Sequence, residues 1–292
     1  MFEVVVYIAL ILFGATLGSF AGATVWRLRA RQLFFDKKSG EKVDAQEYKK
    51  LKKLLDTKGL RDRSRCLHCG YELKWYDLIP IVSWLTLRGR CRQCRKPIGW
   101  FELTMEVGVA AFFVLSYIFW PFAIEDPLTI ALFITWLLAG VGLAILFGYD
   151  AKWFLLPDGA NIFVAVMGLI SVVLTMAILG DVQGPLFGTL WGVAIMSGIY
   201  LVLFIISKGA WIGFGDVKLG IGLGLLLGDW QLAFLALFLA NLIGCLIVIP
   251  LMALGKLSRT SQVPFGPLLI VGMIIAKLFG MTVLNWYFSI FI

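Results

Sequence analysis

Charge is what this chain has least of. Only 15% of its 292 residues are charged, 60% are hydrophobic, and the mean hydropathy is +0.91. That balance excludes an ordinary soluble globule and leaves a polytopic membrane protein. The alternating pattern of an outer-membrane barrel is missing too, so the spans are expected to be helices. A basic leader is absent: Met1-Phe2-Glu3 opens straight into apolar sequence, and Arg27, Arg29 and Arg31 come after it. The expectation is an uncleaved first helix inserted with its N-terminus outside. Histidine occurs once, at His68.

What is present is a series of apolar runs, each near the ~20 residues that cross a bilayer. Eight are legible: Glu3–Val25, Leu103–Phe122, Leu128–Gly148, Asn161–Gly180, Phe187–Ser207, Ile212–Gly228, Gln231–Leu254 and Pro267–Phe288. The sixth is short. The fold class expected is an all-α polytopic membrane protein of about eight transmembrane helices, with a small cytosolic zinc-binding domain between the first two. The domain boundaries are 1–26 for the first span, 27–100 for the cytosolic domain and 101–292 for a seven-helix membrane domain.

The positive charges are placed unevenly. Twenty of the 26 Lys and Arg lie between Arg27 and Lys96, beside eight acids. Lys152, Lys208, Lys218, Lys256 and Arg259 fall in every second loop, on the side of that basic block. The alternate loops, around Glu125-Asp126, Asp181 and Asp229, contain none. The positive-inside bias explains this without a nucleic-acid partner, and it puts both termini outside and the basic block in the cytosol.

Within residues 27–100, Asp44-Ala-Gln-Glu47 reads as a capping box. It opens a helix with Tyr48, Leu51, Leu54 and Leu55 at helical spacing and Gly59 as its stop. Its lysines face either solvent or anionic lipid headgroups. Cys66-Leu-His-Cys69 and Cys91-Arg-Gln-Cys94 follow, two CxxC pairs 21 residues apart. They supply four thiolates for a tetrahedral structural zinc site, and a reducing cytosol argues against disulfides. With that shell complete, His68 is a spectator. The tract Trp75 to Leu85 is too apolar for a free loop and should lie on the membrane surface or against helices. Cys245, alone in the seventh run, reads as core, and Asn241 as a bridge between helices.

Acids inside apolar runs are costly and so mark function. Asp216, in Gly213-Phe-Gly-Asp216-Val-Lys218, opens the sixth run, and Asp150 closes the third. Counting spans places both at the cytosolic end of their helices, at one membrane depth. Asp158 follows Pro157 and reads as an N-cap. Glu106 lies a turn inside the second run, as a dipole partner or a pocket residue. Lys277, mid-span in the last run, either snorkels or pairs.

These residues together resemble the bacterial type IV prepilin peptidases, the leader peptidase/N-methyltransferases, which are GxGD intramembrane aspartyl proteases. Gly213-Phe-Gly-Asp216 matches the GxGD motif, and Asp150 with Leu155-Leu-Pro-Asp158 matches the first-aspartate signature. Gly18-Ser-Phe20, the tetracysteine block and Pro264-Phe-Gly-Pro267 are similar to other parts of the family. Residues 32–59 look inserted, Lys152 replaces a frequent second aspartate, and Gly22 stands where an asparagine is common.

The resemblance implies cleavage of the basic leader of prepilins or pseudopilins after glycine, at the cytosolic face of the inner membrane. Asp150 and Asp216 would be the catalytic pair, with Gly213, Gly215 and Lys218 in the active-site loop. It further implies methylation of the new N-terminus with S-adenosylmethionine, with Glu106 as a methylation or pocket residue. The expected partners are pilin precursors and lipid, with no nucleic acid. A transporter using Asp150 and Asp216 as a proton relay is the rival from another class, though it leaves the paired CxxC motifs without a purpose.

Overall fold

The first helix does not stop where its apolar run stops. In the computed structural model, which describes residues 2–55, 63–258 and 262–291, α1 runs from Phe2 to Lys38. It continues because its far end has something to pack on. Ala30 and Leu33 form a buried cluster with Leu51 of α2 (Ala45–Leu51), and Trp26, Val43, Tyr48, Leu54 and Leu55 close around it. Asp44 caps α2 by accepting from the Gln46 and Glu47 amides. Glu47 does not complete the capping box; its carboxylate takes Arg29 of α1 at 2.7 Å instead. The apolar side of α2 therefore faces α1. The stop expected at Gly59 lies outside the described residues.

Two compact units make up the chain, Met1–Leu115 and Ser116–Ile292. In the first, α1 approaches α4 (Phe101–Ile118) at the level of backbone. A β-carbon at Gly14 would sit 2.7 Å from the Ala110 Cα, and one at Gly18 2.5 Å from the Met105 carbonyl oxygen. Small residues are what permit helices to approach this closely. Between α1 and α4 come the cysteine block and a short helix, α3 (Val82–Thr86).

The second unit is built from α5 (Pro127–Trp153), α6 (Asp158–Leu179), α7 (Gln183–Val193), α8 (Ile199–Ser207), α9 (Phe214–Leu227), α10 (Trp230–Ala253) and α11 (Phe265–Phe291). A π-turn, Ala194–Gly198, joins α7 to α8 as one continuous span. Among the described residues, seven helices are long and apolar enough to cross a membrane. The remaining expected run is α9. With 14 residues it is roughly 21 Å long, short of a ~30 Å hydrocarbon core. It ends early because Gly228 turns left-handed (φ 69°) and Asp229 at once caps α10.

Short as it is, α9 is deeply enclosed. Val217, Leu219, Gly220, Gly222, Leu223, Gly224, Leu226 and Leu227 are all buried. A β-carbon at Gly220 would lie 2.5 Å from the Met196 carbonyl oxygen, and one at Gly224 2.7 Å from the Val193 Cα. Its C-terminal carbonyls receive Lys277 of α11, which donates to Leu226 at 2.8 Å and to Leu227 at 3.3 Å. Lys277 therefore does not snorkel; it closes the end of a helix. Cys245, expected in the core, is exposed on α10, on the outward side with Leu242, Leu246 and Ile249.

Candidate active site and metal centre

Asp150 occupies the last turn of α5, where its carbonyl accepts the Phe154 amide at 2.9 Å and the helix ends in left-handed Phe154 (φ 56°). The side chain is 5% exposed, and its Oδ2 accepts the Gly266 N–H at 3.0 Å from the first turn of α11. Gly266 has to be glycine for this: a β-carbon there would stand 2.8 Å from the same oxygen. The next segment, Leu155 to Pro157, sends Leu156 between two helix starts. The side chain of Leu156 lies 3.1 Å from a β-carbon built at Gly215 and 3.4 Å from one at Gly266. Gly215 thus makes room for Leu156.

Asp216 is half-buried in the first turn of α9, where its amide donates to the Gly213 carbonyl at 3.1 Å. Gly213 is the N-cap residue, exposed, with its Cα flank close to the Asp216 carboxylate. Asp150, Asp216 and Gly213 line one cavity of about 1150 Å³, together with Tyr200, Trp211 and Asn241. The structure thus brings the two aspartates together from 66 residues apart in sequence.

Lys218 stands elsewhere. It lies within α9 and binds Asp158 at 2.7 Å, in an exposed pair. Asp158 is the first residue of α6 and caps nothing with its side chain; Pro157 holds the N-cap position. The pair ties the start of α6 to the start of α9. Sequence reasoning gave these two residues separate roles, since the link spans 60 positions.

The four cysteines converge. Their sulfurs all lie within 4.8 Å of one another, with Cys66–Cys94 at 3.9 Å and Cys69–Cys91 at 4.0 Å. A tetrahedron with Zn–S bonds of about 2.3 Å has edges of about 3.8 Å, so the donor set fits that ion. The two CxxC turns repeat one design. Cys66 N–H donates to Tyr71 and Gly70 N–H to Cys66; likewise Cys91 N–H donates to Lys96 and Arg95 N–H to Cys91. Both turns close on a left-handed residue, Gly70 (φ 76°) and Arg95 (φ 58°).

Burial pushes the Cys66 thiol up to about 12. At Cys91 burial also raises the thiol, but hydrogen bonds from the Cys94 and Gln93 backbone and from the Cys66 and Cys94 side chains together outweigh it, and it falls to about 7. Without a cation the site holds protons that a metal would release. His68 is exposed and outside the sulfur cluster. A contact the sequence hid braces the second turn: Arg92 Nε meets the buried Asp77 carboxylate at 2.7 Å.

Glu106 is 7% exposed and accepts the Ile81 N–H at 2.6 Å, with Ser19 also hydrogen-bonded to it. Ile81 is a β-branched residue at φ 63°, and the Val82 amide folds back to the Pro80 carbonyl. That γ-turn of positive φ is strained, and the Glu106 carboxylate holds it. The apolar tract is therefore fastened to α4 at Ile81, while Trp75, Val82 and Leu85 remain exposed.

Residues 12–120 match the Bacterial Peptidase A24 N-terminal domain, and residues 132–249 match the Type IV leader peptidase family. The chain is 32% identical over 236 residues to the prepilin leader peptidase/N-methyltransferase of Aeromonas hydrophila, covering 79% of this chain and 76% of that one. It is 28% identical over 217 residues to the protein of the same name from Stutzerimonas stutzeri, covering 74% and 72%. The like-named protein of Legionella pneumophila is 26% identical over 289 residues, covering 96% and 94%. No solved structure matches the chain.

Proposed function

The chain belongs to the prepilin leader peptidase/N-methyltransferase family, and from that premise we propose that Asp150 and Asp216 cleave prepilin leaders as an aspartyl pair. The protein is a multi-pass membrane prepilin peptidase. The single observation that carries the mechanism is that these two carboxylates line one cavity.

Two carboxylates sharing a site do not both ionise readily, so one keeps its proton. The ionised carboxylate takes a proton from water as the water oxygen bonds to the scissile carbonyl carbon. The carbonyl π pair moves to its oxygen, which takes the proton held by the second carboxyl. On collapse, one hydroxyl of the tetrahedral diol returns its proton to the second carboxylate as the carbonyl re-forms, and the C–N bond breaks with its electron pair going to nitrogen, which leaves with a proton from the first carboxyl. The Gly266 N–H fixes one Asp150 oxygen, so a single rotamer is ready for this exchange. The pair titrates as a unit, and the proton belongs to both.

In this reading the substrate is a prepilin or pseudopilin, cut after glycine between its basic leader and apolar helix. The positive-inside distribution of the basic loops supports a cut at the cytosolic face of the inner membrane, with residues 27–100 in the cytosol, residues 101–292 as the membrane domain and both termini outside. Cys66, Cys69, Cys91 and Cys94 hold one zinc, which fixes the cytosolic segment and takes no part in the cleavage.

The methyl-transfer half is carried by the family name alone. Glu106 is the candidate residue, but Ile81 and Ser19 already occupy its carboxylate. It does not by itself fit a methyl donor. Incubating the purified protein in detergent with a prepilin and reading the product N-terminus by mass spectrometry tests the whole. A leader released after glycine supports the proposal, and an uncut prepilin sinks it.

A further inference from the structure

The cavity that holds the aspartates does not end with them. One part of its wall comes from the loops before α9 and α11, at Trp211 and Val263, and a second from Asp150, Asp216 and Asn241. A third comes from Phe234, Leu237 and Phe238 of α10, which the aspartate chemistry above leaves without a task.

Helical rise orders these three parts. α9 and α10 reverse direction at Gly228 and Asp229, because Asp216 and Asn241 line one cavity although both helices lead away from that turn. At 1.5 Å per residue, Asp216 stands about 18 Å from Gly228 and Asn241 about 16 Å from Trp230, so the two share one level. Phe238 and Phe234 lie about 4.5 and 10.5 Å from Asn241 toward the Asp229 end of α10, away from the loops.

This third part is apolar and open. Phe234 is 63% and Phe238 56% exposed, with Leu237 buried beside them. Ile199 of α8, also in the lining, is exposed too. On the α9 side the wall is closed: the buried Ser197 hydroxyl donates to the Val217 carbonyl at 2.9 Å, and the Met196 carbonyl lies against Gly220. The opening therefore lies between α8 and α10, on the flank that spanning helices turn to lipid. A lipid chain matches only the aromatic part of this surface. A polypeptide that is polar at one end and apolar at the other matches all of it, with the bond at the join set against the carboxylates.

We propose that Phe234 and Phe238 are the docking surface for the apolar segment of a prepilin, which enters sideways from the bilayer between α8 and α10. The inference rests on the aspartate-pair reading. Lipid is as apolar as the segment it yields to, so the contact depends on close packing, which large flat rings supply. In helical form, about seven residues after the cut span the distance from Asn241 to Phe234.

The test uses the full chain in lipid nanodiscs and two synthetic prepilin peptides that share a basic leader and a glycine. In one the glycine precedes an apolar segment of about 20 residues; in the other the chain stops about three residues later, short of one helical turn. Phe234→Ala combined with Phe238→Ala should raise KM for the long peptide about tenfold with kcat held, and leave the short peptide unaffected. Leu246→Ala combined with Ile249→Ala, similarly exposed on α10 but outside the cavity, should change neither. A photoreactive benzoylphenylalanine in place of Phe238, with Asp216→Asn to keep the peptide uncut, should cross-link within about seven residues past the glycine. An unchanged KM for the long peptide, or adducts only to lipid or to a second copy of the chain, overturn the docking surface while leaving the peptidase reading intact. A native protein that cuts neither peptide overturns both.

Discussion

Lys277 of α11 donates to the Leu226 carbonyl of α9 at 2.8 Å, across 51 positions of sequence. A helix that ends inside apolar surroundings leaves its last carbonyls without donors. The ammonium supplies them, and a positive charge at a helix C-terminus is favoured by the dipole as well. Replacing Lys277 with Met removes this cap while keeping much of the side-chain bulk. Each carbonyl left without a donor costs about 1–3 kcal/mol, so the detergent-solubilised protein should unfold at a clearly lower temperature. An unchanged melting temperature would show that the contact contributes nothing.

If Asp150 and Asp216 are the proposed pair, changing either to Asn keeps the shape and removes the proton exchange. Leader cleavage should drop about 10²–10⁴-fold, with metal content and folding retained. The double variant should be little worse than either alone, because the two act as a unit. Asp158→Asn loses only an exposed pair with Lys218, worth about 0–1 kcal/mol. Loss of cleavage in that variant alongside an active Asp150→Asn would identify a different first aspartate.

Glycine is required where a β-carbon would strike something that does not yield. Gly266→Ala places a methyl 2.8 Å from the Asp150 carboxylate oxygen. Displacing that group by a few tenths of an ångström to one ångström should reduce cleavage by about 10²-fold. Gly108→Ala meets nothing within 4 Å and should be neutral or slightly stabilising, since Ala favours a helix by up to ~1 kcal/mol over Gly. Melting curves and cleavage rates of the two variants, measured side by side, check the contrast.

One zinc per chain is expected by elemental analysis, lost on substitution of any of Cys66, Cys69, Cys91 or Cys94. Structural zinc contributes folding free energy directly, so chelation should expose the 63–100 segment to protease. Cys245→Ser should leave the metal content unaltered. A metal-free but fully protease-resistant protein would rule the ion out.

Glu106→Gln keeps an acceptor for Ile81 and removes the negative charge. Should the family's methylating activity reside there, methylation of the released N-terminus should fall while cleavage survives in part. Mass spectrometry of the product with ample S-adenosylmethionine decides it. Equal methylation by both proteins would leave Glu106 as the residue that holds the Ile81 turn and no more.

Much of this architecture is written locally in the chain. Apolar runs declare their helices because burial in lipid depends on composition, and CxxC pairs declare themselves because four sulfurs need little else to converge. What escaped was set by contact. Polar residues 26–38 extend α1 because Ala30 and Leu33 find Leu51. Lys277 finds its carbonyls, and Lys218 finds Asp158, only once distant helices are side by side. Cys245 looks like core because its neighbours are apolar, yet on a lipid-facing helix the apolar side faces outward. The π-turn before Tyr200 carries no sequence signature, since Ala194 to Gly198 would suit an ordinary helix equally well.

The unbroken course of α1 sets a phase relation. At 37 residues the helix measures about 55 Å, against a hydrocarbon core of ~30 Å, so its last turns stand in water as a stiff post. Azimuth is thereby transmitted along it: the face that meets α4 at Gly14 and Gly18 dictates which way Ala30 and Leu33 point. One residue inserted between Val25 and Ala30 would rotate everything beyond by about 100°, turning the α2 seat away from its partner. An insertion of seven would nearly restore the angle, about 20° short of it, and would lift α2 by about 10 Å. Length along this post should be tolerated in steps of whole turns, and single-residue changes should not.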